Sequence, residues 1–149
     1  MTPLVTTYRS RFAAALFELL DPIPFGLFVG TLIFDITYAL TRNVFWGKGA
    51  AWLVSVGLLF AIIPRFMNLV QVWVPSSAPL PARRFQRLDF WFYLVGIVAA
   101  ILNAFVHSRD AYAMVPQNVV LSAITVAFLS LALLMRALAR FAAGETRHE

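Results

Sequence analysis

Cysteine is absent from this chain, and histidine occurs only twice, as His107 and His148. Disulfides, thiolate ligands and cysteine redox chemistry are therefore excluded. Two histidines also leave little from which to build a metal site. Charge is scarce as well. Asp, Glu, Lys and Arg together make up 13% of the 149 residues, against ~25% in ordinary soluble domains. No catalytic, metal-binding or nucleotide-binding motif stands above chance, so no catalytic residue and no metal ligand is assigned. No soluble module fits beside what the chain does contain.

What it contains is apolar sequence. Hydrophobic residues reach 61%, and four long stretches hold most of them, at Pro22 to Thr41, Ala50 to Val74, Phe90 to Val106 and Val119 to Leu138. Each is close to the ~20 residues that a helix needs to cross ~30 Å of hydrocarbon. The expected fold class is an all-α integral membrane protein, with residues 22–138 forming a four-helix transmembrane bundle. Ahead of it, Phe12, Leu16, Leu19 and Leu20 recur at helical spacing in residues 1–21, which suits a short interfacial helix rather than a removable signal. Residues 139–149 are expected to form a cytoplasmic tail.

Net charge is +5, but the basic residues sit at span ends and do not suggest nucleic acid as a partner. With four spans, both termini and the second loop share a side. That side carries Arg9, Arg11, Arg83, Arg84, Arg87, Arg136, Arg140 and Arg147, against Arg42, Lys48 and Arg109 opposite. Eight basic residues against three place both termini in the cytoplasm of a bacterial inner membrane. Arg83, Arg84 and Arg87 are candidates for binding anionic headgroups, at ~1 kcal/mol per basic residue. Trp46 in the first loop and Tyr38 near a span end suit interfacial anchoring.

A charge in hydrocarbon costs at least ~2.5–3.5 kcal/mol on insertion scales, so intramembrane polar residues need a reason. Asp35 lies six residues from the end of the first stretch, ~9 Å deep, and Arg65 fifteen from the start of the second, ~22 Å deep. That ~13 Å offset argues against a direct pair. Depth matching gives an outer layer of Asp35, Asn103 and Ser122, with Thr125 close by. An inner layer follows, of Arg65, Tyr93 and Ser130, with Asn68 and Gln71 below. Arg65, Asn68 and Gln71 share a ~120° sector of their helix, and Pro64 is expected to kink it. These residues read either as packing contacts or as a proton, ion or cofactor path. His107, beside Arg109 and Asp110, reads as part of a solvated loop.

Pro24-Phe25-Gly26-Leu27 and Gly30-Thr31-Leu32-Ile33-Phe34-Asp35 open a longer pattern. It continues through Trp46, Trp52 and Ala82-Arg83-Arg84 to Asn103, Arg109, Asp110, Pro116 and Ser122. Over Asp21 to Leu134 the chain thereby resembles the bacterial membrane family catalogued as domain of unknown function 2231. That resemblance implies a membrane bundle found near redox modules, with haem or quinone as the cofactors to consider. The departures fall on the family's paired histidines, whose places hold Asp21 or Pro22, and Asp89. Arg65-Phe66-Met67-Asn68 and Met135-Arg136-Ala137-Leu138 replace two further motifs. Bis-histidine haem ligation is not expected here. No cofactor is predicted, with quinone or haem left open. The leading expectation is a non-catalytic accessory or scaffold subunit of a larger membrane complex, for which the resemblance implies a redox one. Its alternatives are a small oligomeric transporter or channel using Asp35 and Arg65, and a quinone- or haem-associated protein.

Overall fold

The computed structural model describes residues 22–73, 80–109 and 113–145, of which 63–73, 80–83 and 143–145 are described as backbone only. The expected interfacial helix of residues 1–21 lies outside the described residues. Four helices account for nearly everything described: α1 (Pro22–Thr41), α2 (Val44–Trp73), α3 (Leu80–His107) and α4 (Gln117–Glu145). There is no strand among the described residues. All four helices are long and apolar enough to cross a membrane, over Pro22–Thr41, Val44–Ile62, Arg84–His107 and Gln117–Ala142.

Three of the helices outrun the apolar stretches that announce them. α2 begins six residues earlier than Ala50, and α3 begins ten residues before Phe90. α4 runs on to Glu145, into the expected tail of residues 139–149. The cause is that helix formation does not stop where hydropathy falls. Leu, Arg, Gln and Ala in the 80–89 segment are good helix formers, so the polar overhang stays helical. α2 also continues through Pro64 without interruption of its helical backbone.

Only Arg42 and Asn43 separate α1 from α2. The reversal is made by Arg42 in the left-handed region (φ 55°), with its amide donating to the Tyr38 carbonyl at 2.8 Å. Asn43 then caps α2, its Oδ1 accepting from the Phe45 amide at 3.0 Å, which satisfies one of the free donors at a helix start.

Packing follows a period of 3.5 residues. The buried positions of α1 are Pro24, Phe28, Thr31, Asp35 and Tyr38, spaced 4-3-4-3. On α2 they are Gly47, Ala50, Val54, Gly57 and Ala61, a seam of small residues facing large ones. This spacing is that of left-handed knobs-into-holes packing, and small seam residues let helix backbones approach closely. A Cβ at Gly57 would lie 3.0 Å from Phe28, and one at Gly47 3.3 Å from Tyr38. The pairs α1–α2 and α3–α4 form two hairpins, closed into a ring by α1–α4 and α2–α3 contacts.

Two apolar clusters result. Phe28, Val54, Ala61, Ala100 and Leu129 fill the middle of the bundle. Tyr38, Val106 and Met114, flanked by Trp46, Val115 and Leu121, close the end that carries the α1–α2 and α3–α4 connections. Two interfacial assignments are corrected here. Tyr38 is fully buried, and Trp46 is half-buried within α2, its ring edge-on to Phe34 at 5.0 Å. Both are claimed by the closing cluster because the α1–α2 turn is too short to hold them out toward headgroups.

Candidate functional site

Between the two apolar clusters lies a layer of polar side chains, centred on Asp35. The α1 seam sets this order, since Phe28, Thr31, Asp35 and Tyr38 are successive buried positions on one face. From α3, Asn103 and His107 reach it, four residues apart and hence on one face. From α4, Asn118 and Ser122 do the same.

Asp35 Oδ1 lies 2.8 Å from His107 Nε2 and accepts from Asn118 Nδ2 at 3.0 Å. Oδ2 lies 2.5 Å from the Ser122 hydroxyl and accepts from Asn103 Nδ2 at a longer 3.4 Å. The other ring nitrogen, His107 Nδ1, is 2.8 Å from the carbonyl oxygen of Asn103. Ser122 Oγ is also 2.5 Å from the Asn118 carbonyl, so its single proton serves one of two acceptors at a time. The layer is sealed: the Asp35 side chain is 0% and that of His107 2% exposed. Thr125 is buried one turn further along α4 and donates to its own helix, at Leu121 O.

Asn103 and Ser122, matched to Asp35 by depth in the sequence, thus both lie within hydrogen-bonding distance of its carboxylate. His107 corrects its assignment to a solvated loop. It is the last residue of α3, turned inward because its two nitrogens find a carbonyl and a carboxylate there. Asn118, which fell between the expected loop and span, belongs to the same cluster. The Asn118, Ser122 and Thr125 spacing on α4 was the signal that could have placed it, as a polar stripe down one helical face.

The expected inner layer does not assemble in this way. The Tyr93 hydroxyl donates to the Ala61 carbonyl at 3.3 Å, tying α3 to α2. Ser130 is exposed and bonded to its own helix at Val126 O. It shares a depth with Tyr93 but not a direction, being turned ~140° from Thr125 on α4. The side chains of Arg65, Asn68 and Gln71 lie outside the described residues. Arg65 is 21 residues from the start of α2, ~32 Å along the axis, while Asp35 is ~9 Å from the same end of the bundle. The helix bounds therefore widen the separation inferred from the sequence.

At the opposite end, Asp89 is buried and pairs with Arg136 at 3.4 Å, joining α3 to α4. Asp89 lies ahead of the apolar stretch that starts at Phe90, within the helical overhang of α3. Arg84 and Arg87 are exposed in the first turns of α3, and the Arg83 side chain lies outside the described residues.

Chemically, the Asp35 layer can hold a proton and can lock three helices together. Both nitrogens of His107 are engaged, so in this arrangement it offers no lone pair to haem iron. No group of three or more potential metal-binding side chains occurs among the described residues. Comparison with known proteins adds no identity. Neither family models, nor curated proteins, nor solved structures give a match to this chain.

Proposed function

We propose that this chain is a non-catalytic protein of the bacterial cytoplasmic membrane, an accessory or scaffold subunit that packs against a larger membrane complex. The observation that carries this reading is the division of polar and apolar surface. The carboxylate, imidazole, amide and hydroxyl groups around Asp35 are turned inward and bonded to one another. Outward, the helices present Trp52, Leu59, Trp91, Phe105, Leu134 and Phe141, all more than half exposed. Among the described residues the polar groups of the bundle interior are thus occupied with one another, whereas the exposed apolar side chains suit lipid and other helices. The resemblance to the domain of unknown function 2231 family points the same way, toward a neighbour in a redox complex. A second reading, an oligomeric transporter using Asp35 and Arg65, draws support from Asp35 being joined to a second titratable side chain inside a candidate span.

Affinity purification of the tagged full chain in mild detergent tests the first reading. A stoichiometric larger membrane protein is expected to come with it, and crosslinks from positions 68 and 71 are expected to reach that partner. A free monomer in several detergents, crosslinked to lipid alone, would overturn the proposal.

Orientation is a separate matter. The basic-residue count places both termini in the cytoplasm, with the Asp35 layer near the outer face. Cysteines introduced at Ser77 and Ser108 are expected to label from opposite sides, with Ser77 reached only from the cytoplasm. Labelling of both from one side rules out four crossings.

A further inference from the structure

A peptide carbonyl accepts hydrogen bonds and never donates them. The 2.8 Å contact from His107 Nδ1 to the Asn103 carbonyl therefore fixes a proton on Nδ1. The other nitrogen faces a carboxylate oxygen at 2.8 Å, and that contact also needs one proton between its two atoms. The proton belongs either to an imidazolium beside a carboxylate or to a carboxyl group beside a neutral imidazole. Both descriptions hold the same number of protons and the same net charge of zero. Removing that proton leaves two lone pairs facing each other and a net charge of −1, so the two residues take up or release it as a unit.

The surroundings supply no competing charge from the other helices in the cluster. α4 contributes only the neutral Asn118 and Ser122. Among the described residues, the charged groups nearest along the chain at this end are Arg42 beyond α1, Lys48 on α2 and Arg109 after α3, all exposed. Arg109 donates to Gln117 Oε1 at 3.2 Å. Tyr38 is buried one turn from Asp35 on the same helix.

A second observation is independent of the first. The side-chain oxygens of Asn103 and Asn118 are buried without a hydrogen-bond partner, in residues that are 1% and 0% exposed. Reversing either amide would set oxygen against the Asp35 carboxylate, so the orientation is fixed by Asp35. A buried acceptor left unpaired costs about 1–3 kcal/mol. Two such oxygens beside one carboxylate call for a small donor, and water has the two hydrogens that would serve them. His107 ends α3, and Ser108 and Arg109 after it are exposed.

We infer that Asp35 and His107 form one proton-binding site, with water held beside it by the side-chain oxygens of Asn103 and Asn118. The inference stands whether the chain acts as a subunit or as a transporter.

The test uses the full chain in lipid nanodiscs, with His148→Gln leaving His107 as the single histidine. Nitrogen NMR of the ring and the infrared carboxyl band are followed through a pH titration. Expected is one midpoint shared by the His107 Nε2 signal and the Asp35 carboxyl band, with the Nδ1 proton retained on both sides of it. Asp35→Asn, read by the same nitrogen signal, is expected to abolish that shared step. Separate midpoints for the two groups, or a ring protonated only on Nε2 after deprotonation, would overturn the shared site. Water-edited spectra are expected to show transfer from water to the Asn103 and Asn118 amides, and its absence would overturn the water.

Discussion

Asp35→Ala is expected to destabilise the detergent-solubilised bundle more than any other single polar substitution among the described residues. Four side chains from two other helices converge on this carboxylate. Four bonds at the ~0.6 kcal/mol typical of membrane bundles set a floor of about 2.4 kcal/mol. Leaving partners buried and uncompensated raises the loss toward about 3–5 kcal/mol. Asp35→Asn is the control. Its amide donates to the Nε2 lone pair of a neutral His107, and its oxygen accepts from Ser122 or Asn103, so a loss of only about 1 kcal/mol is expected. Unfolding free energies of both variants, measured by denaturant titration in the same micelles, decide the matter. Equal losses for Ala and Asn would show that the convergent hydrogen bonds do not hold the helices.

The second large effect belongs to glycine, and its sign depends on position. At Gly57 a Cβ would lie 3.0 Å from Phe28 Cε1 and 3.3 Å from two more ring carbons. Phe28 is itself in the central cluster, so it has no vacant direction in which to turn. Gly57→Leu is expected to part α1 from α2 at a cost of about 1–3 kcal/mol or more. Gly26 is the counterpart, on the exposed side of α1 with nothing within 4 Å of its Cβ position. Gly26→Leu is expected to be stabilising by up to about 1 kcal/mol, because glycine is a poor helix residue. Thermal stability of the two variants against the natural chain checks both. A loss at Gly26 as large as at Gly57 would show that the small-residue seam is misplaced.

Why the helices were legible and the polar cluster only partly so can be traced to particular residues. A twenty-residue apolar run is a strong signal, and each of the four appears as a helix. Its ends are weak signals, because Val44 to Gly49 and Leu80 to Asp89 continue a helix with polar or bulky residues that hydropathy discounts. That weakness hid His107. Followed by Ser108, Arg109 and Asp110, it looks like a loop residue, and only the α3 register turns it toward Asp35. Asn103 and Ser122 could be matched to Asp35 because both lie well inside their stretches. Depth alone then misled at Ser130, where azimuth decides. The large-against-small pairing of α1 with α2 was written in the sequence throughout, as Gly47, Ala50, Val54, Gly57 and Ala61 at alternating intervals of three and four.

The cluster has a further consequence that concerns the order in which the chain is made. Asp35 belongs to the first hairpin, while its partners lie 68 to 87 residues further along, in the second. At about 5–20 residues per second, Ser122 follows Asp35 out of the ribosome by about 4–17 s. During that interval α1 and α2, joined by only two residues, must settle beside each other with a carboxyl group that has none of its eventual partners. Asp35 is buried in the finished ring but has no reason to be buried in the half-made one. The arrival of α3 and α4 is thus the event that commits α1 to its final rotation, and the last two helices act as a lock on the placement of the first two.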